Sequence, residues 1–177
     1  GALVSLATEG QFEPAAPTPQ TAGMLIGSVY RLKVTHIRGA EGQEVFPTIE
    51  VIDRTYPPRG QELRFPIPVE LTHEDLRIAL AGKFVTRVVY LENPRLALPT
   101  PEDPAEHNWF EAGAGRDPLA VADRLGRPVA ILRMGGRLPE GPHEINRQFL
   151  YGSPPLLRFA SPPRAMPAQD GSGLPDQ

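Results

Sequence analysis

Proline and glycine set the first limit on this chain. Among 177 residues stand 22 prolines and 17 glycines, well above the roughly 12% the two usually sum to. Proline fixes φ and removes a backbone donor, which rules out long helices and interior strands wherever it is frequent. The prolines are unevenly placed: Met24–Ile52 holds one, Pro47, whereas Gly152–Gln177 holds six. This distribution predicts a folded middle over residues 24–136. Extended proline-rich arms are expected over residues 1–23 and 137–177.

Within the middle, hydrophobic period separates strands from helices. Tyr30, Leu32 and Val34 alternate with Arg31, Lys33 and Thr35, the period-two signature of a half-buried strand. After the turn Gly39–Gly42 a second strand is expected over Val45–Asp53, completing a hairpin. Leu63, Phe65, Ile67, Val69 and Leu71 alternate with Arg64, Pro66, Pro68 and Glu70. The two outward prolines make that stretch an expected edge strand. Thr72–Ala81 reads as a helix, with Thr72 as cap, Asp75 at the capping-box position and Gly82 as the left-handed exit. Phe84–Leu91 and Pro128–Met134 read as strands, and Asp117-Pro118 opens a second helix ending at Gly126. The expected order is β-β-β-α-β-(β)-α-β, the sixth element being a short strand or plug at Asn108–Ala112. That order gives a mainly β (α+β) fold: a small antiparallel or mixed sandwich, or an open barrel, with two short helices.

Charge and composition exclude several classes of function. The formal net charge is −3, with both signs interspersed, and no basic stripe is present to follow a phosphate backbone; nucleic acid is not an expected partner. Cysteine is absent, which removes disulfides, thiolate metal sites and a cysteine nucleophile. No run reaches the ~18 apolar residues of a membrane-spanning helix. Gly1–Ala7, with its small-residue ending, reads as the tail of a removed export signal.

No constellation for chemistry emerges. His36, His73, His107 and His143 never stand at metal-ligand spacing, and the acidic stretch around Glu102, Asp103 and Glu106 lacks a calcium-loop pattern. Serine-nucleophile motifs are missing. Gly113-Ala114-Gly115 precedes a helix but lacks a phosphate-loop pattern, and Asp117 beside it would repel phosphate. We therefore expect no catalytic residue, no metal and no cofactor, and a chain that is not an enzyme.

The arms then become the main functional signal. Nothing internal to a proline-rich tail offsets the ~1–2 kcal/mol per residue of ordering it, so a partner surface, or the domain itself, must hold it in place. The expected partners are other protein subunits, with Phe12, Trp109, Phe110, Phe149, Leu150, Tyr151, Leu156, Leu157 and Phe159 as anchors. The competing reading is a ligand-binding β-sandwich, using Trp109, Tyr56 and the acidic loop for carbohydrate.

The runs VYRLKVTHI, PTIEVIDRTYPP, GQELRFPIPVELT, GKFVTRVVYLE and DPLAVADRLGRPVAILRMGGR, spanning Val29–Arg137, resemble an uncharacterised family of exported cell-envelope proteins of planctomycete-type bacteria. The resemblance leaves both expected arms outside. It implies an exported protein of the periplasm or cell envelope, and it supplies no catalytic residue.

Overall fold

The computed structural model describes residues 1–92, 115–135, 138–139, 141 and 144–160. Among these described residues nine strands and two helices follow in order. These are β1 (Leu3–Thr8), β2 (Gln11–Phe12), β3 (Ala16–Pro17), β4 (Thr21–Gly23), β5 (Val29–Thr35), β6 (Thr48–Val51), α1 (His73–Leu80), β7 (Val85–Glu92), α2 (Pro118–Leu125), β8 (Gly126–Met134) and β9 (Leu157–Phe159). The fold is mainly β. Seven strands make one sheet in the order β2-β1-β5-β6-β8-β7, with β3 also on β1, while β4 and β9 form a separate pair. Every pairing is antiparallel.

Alternation along the strands sends side chains to both faces of the large sheet. Val4 and Leu6 of β1, Tyr30, Leu32 and Val34 of β5, Ile49 and Val51 of β6, and Ala130, Leu132 and Met134 of β8 fall in one core. Leu76 and Ala79 of α1 join that core, flanked by Met24, Val69, Leu71 and Leu156. Ala7 belongs to a second, aromatic cluster with Phe46, Phe149 and Leu150, supported by Phe12 and Ile145. The Phe46 ring meets Phe12 tilted at 5.9 Å and Phe149 edge-on at 5.4 Å, both within the preferred range for aromatic pairs.

The elements with strong local signals form as expected. In α1 the Thr72 hydroxyl accepts from the Asp75 amide at 3.1 Å, and Gly82 leaves the helix at φ +76°. In α2 the Asp117 carboxylate accepts from the Leu119 amide at 3.0 Å, with Pro118 in the first turn. Strands β5, β7 and β8 lie where alternation and β-branched content place them. The second strand is shorter than expected: β6 covers Thr48–Val51, and Val45 contributes only an isolated bridge to Val34.

Two expectations are corrected. Residues 1–23 are not a detached arm, because β1 bonds β5 on one side and β2 and β3 on the other, and Val4, Leu6 and Ala7 are buried. Four of the nine strands precede Val29. Leu63–Leu71 is not a strand. A 3-10 turn occupies Glu62–Arg64 and the rest belongs to no strand. Pro66 and Pro68 lack the N–H that a ladder needs.

The described part of the expected C-terminal arm also lies on its own domain. The Tyr30 hydroxyl accepts from the Leu25 amide (2.8 Å) and donates to the Pro155 carbonyl (3.0 Å). Buried Arg31 donates from Nε to the Phe149 carbonyl (3.1 Å) and from Nη1 to the Phe46 carbonyl (2.8 Å). Its guanidinium carbon sits 4.5 Å from the Phe149 ring centre and 5.0 Å from that of Tyr151. At the far end β9 pairs with β4, and Arg158 forms an ion pair with Glu13. Residues 1–23 and 144–160 thus hold one another and the sheet between them.

Candidate interaction surface

The candidate site begins where the chain leaves β6. The amides of Ile52 and Asp53 both donate to the Val129 carbonyl, at 2.9 and 3.1 Å, which fixes the exit point against β8. Val129 is the extra residue of a bulge, since Ala130 faces Val89 while Pro128 faces Tyr90. Bulges re-aim neighbouring side chains, and Arg127 lies just beyond this one.

Four groups converge there. The Asp53 carboxylate accepts from the Arg54 amide (2.8 Å) and the Tyr56 hydroxyl (3.2 Å), and forms an ion pair with Arg127. Arg127 also donates from Nη2 to the Arg54 carbonyl at 3.1 Å. The Arg54 amide, and after it the Arg127 guanidinium, hold the Asp53 carboxyl below its ordinary value, because both bonds favour the ionised form. The Tyr56 ring has the guanidinium carbons of Arg54 and Arg127 at 5.0 and 5.1 Å from its centre, within cation–π reach. Tyr56 nevertheless remains 68% exposed. Held through its hydroxyl, it presents a fixed aromatic surface to solvent.

A neighbouring segment extends this surface. The Thr55 hydroxyl donates to the Phe65 carbonyl at 3.1 Å, bringing residues 53–56 alongside residue 65. Between them the chain turns through Gly60, at φ +78°, whose amide donates to the Glu62 carboxylate at 3.1 Å. The stripe from Leu63 to Leu71 splits at this point. Val69 and Leu71 reach the main core, whereas Leu63 and Phe65 are 55% and 48% exposed. The same alternation that covers the core runs past its edge, leaving two large apolar side chains exposed.

The residues expected to anchor a partner are placed differently. Phe149 and Leu150 are buried, and Phe12 leans on Phe46 with the Lys33 ammonium 5.5 Å from its ring centre. These three side chains fasten the chain to itself, because the sheet supplies the apolar surface that we expected a neighbour to supply. Leu156 is partly covered by the main core, and Phe159 lies over Gly23 in the β4–β9 pair. Tyr151 and Leu157 are exposed. Trp109, Phe110, His107 and the acidic residues Glu102, Asp103 and Glu106 lie outside the described residues. His36 contacts the Thr35 hydroxyl at 3.1 Å and His73 opens α1. Sequence reasoning missed Asp53, Arg54 and Arg127 as one cluster. Asp53 and Arg127 are brought together by the β6–β8 register, Val51 opposite Ala130, which no local motif encodes.

A cavity of about 400 Å³ lies between the β5–β6 connection, the end of α1 and the residues after β8, with Val45, Phe46, Ala79, Leu80, Leu138 and Pro139 in its lining. Among the described residues no group of three metal-ligating side chains converges, and no helix is long and apolar enough to cross a membrane. Comparison with protein-family models, curated proteins and solved structures finds no match.

Proposed function

We propose that this chain is a non-catalytic accessory subunit of a larger protein assembly, and that it binds a neighbour through residues 53–65 rather than through free arms. The observation that carries this reading is the exposure of Tyr56, Leu63 and Phe65 on one connected stretch. Tyrosine, phenylalanine and arginine are the residues enriched at protein interfaces, and all three types meet here. Contiguous exposed apolar side chains with polar neighbours are a usual mark of a contact surface. A cell-envelope setting belongs to the same proposal and is supported by the resemblance of Val29–Arg137 alone.

The test is the mass of the native particle. After gentle extraction, size-exclusion with light scattering should give a species several times heavier than one chain, and Phe65→Ser should release the chain from it. A monomeric native protein overturns the proposal.

A second reading, a carbohydrate-binding module, is favoured by the exposure of the Tyr56 ring beside Asp53 and Arg127. It predicts that Tyr56→Ala abolishes binding to cell-wall sugars while the fold is retained. Retained sugar binding, or none in the parent chain, rejects it.

A further inference from the structure

Resting on the subunit reading, we infer that the partner presents an acidic segment carrying apolar side chains to residues 53–65. Arg54, Arg59 and Arg64 are exposed along this stretch, and Arg127 joins them from β8. Among the described residues, Asp53, already engaged by Arg127, and Glu62, whose carboxylate accepts from the Gly60 amide, stand against these four arginines. Glu92, which the register sets across from Gly126 and so one position from Arg127, leaves the balance positive. A positive patch on a chain of net charge −3 is a local feature, not a consequence of overall composition.

Guanidinium groups suit carboxylates in particular, because their planar fork can donate two parallel bonds to one carboxylate while the flat face stacks on an aromatic ring. Leu63 and Phe65 add a requirement that charge alone does not meet, namely apolar side chains on the other surface. Two other occupants fit less well. A second copy related by a two-fold axis would bring this patch against itself, arginine facing arginine. An acidic polysaccharide offers carboxylates but nothing to cover Leu63 and Phe65.

A randomised peptide library displayed on phage, selected on the full chain and counter-selected on a Arg64→Glu/Phe65→Ser double variant, tests this directly. Both positions are exposed, so the variant should keep the parent circular dichroism and melting temperature. The expected survivors combine Asp or Glu with Leu, Phe or Trp. The best of them should bind the double variant at least about tenfold more weakly in fluorescence anisotropy, and lose affinity as salt rises. Enrichment of basic or uncharged peptides overturns the inference, as does binding that the double variant leaves unchanged. Polygalacturonate binding with no peptide selected would transfer the site to acidic sugars. A sedimenting dimer of the parent chain that Phe65→Ser dissociates would transfer it to a second copy. Failure of this inference is separable from failure of the subunit reading: a heavy native particle sensitive to Phe65→Ser, with no acidic peptide selected, removes only the partner chemistry.

Discussion

At the scale of single residues, burial decides which half of an ion pair matters more. Asp75, in the first turn of α1, is 1% exposed and accepts two bonds from Arg87 of β7, at 3.2 and 2.7 Å. The Arg87 side chain is 31% exposed and keeps part of its hydration. Those bonds hold the Arg87 guanidinium above its ordinary value, far from any pH at which it would deprotonate in use. Removing one member of a buried pair leaves the other as an uncompensated charge, so the cost depends on where the survivor sits. Arg87→Met strands a carboxylate inside the fold and is expected to cost about 3 kcal/mol. Asp75→Ala leaves a cation that can swing to water, and about 1–2 kcal/mol is expected after allowing for that exposure. Urea denaturation of both variants checks the order. If Asp75→Ala proves the more damaging, the α1–β7 junction is held by something other than this pair.

At the scale of elements, the β7–β8 pair is closed at both ends by glycines that serve by having no side chain. A Cβ on Gly126 would collide with the Leu91 carbonyl, and one on Gly135, which also sits at φ +126°, with the Lys83 carbonyl. Both obstacles are backbone, which cannot rotate away. Gly126→Ala should therefore cost about 2–3 kcal/mol, the upper range for overpacking. Gly60→Ala, in open space at φ +78°, should cost about 1 kcal/mol from backbone conformation alone. Thermal melts of the two variants distinguish steric from conformational cost; equal losses would reject the collision. Neither role is visible in sequence, where Gly126 reads only as the end of α2. Legibility followed the range of the determining interaction. Thr72, Gly82 and Pro118 act within one turn, and α1 and α2 fall where those residues put them. β1 escaped because Leu3–Thr8 is covered on both faces, so it lacks the alternation by which a half-exposed strand is recognised. Leu63–Leu71 misled for the opposite reason. Its alternation is real, with Val69 and Leu71 inward, but alternation reports which side is covered and not whether a neighbouring strand is bonded.

At the scale of the molecule, residues 1–23 and 144–160 are immobilised from within. The energetic premise was sound, since such backbone needs a surface to hold it. That surface includes β1 as well as residues 24–136. Once β1 widens the sheet, it offers a second face with room for Phe46, Phe149 and Leu150, and Arg31 and Tyr30 supply the donors that the Phe149 and Pro155 carbonyls of the crossing segment require. Residues 149–153 should therefore behave as part of the global fold. Phe149→Ala removes a 2%-exposed ring from between Phe46 and Arg31, and a loss of about 3–4 kcal/mol is expected for truncating a buried phenylalanine. An arm lying loosely on the sheet would cost little when truncated, because the unfolded and docked segments would be close in free energy. Hydrogen exchange adds a readout independent of the mutation. The amide of Leu150, bonded to the Asn146 carbonyl at 3.0 Å, should exchange at the rate set by global unfolding, together with the amides of β5. Exchange of Leu150 orders of magnitude faster than that of Leu32, or a negligible loss in Phe149→Ala, would return this segment to the role of a detachable arm and make its aromatic side chains available to a neighbour after all.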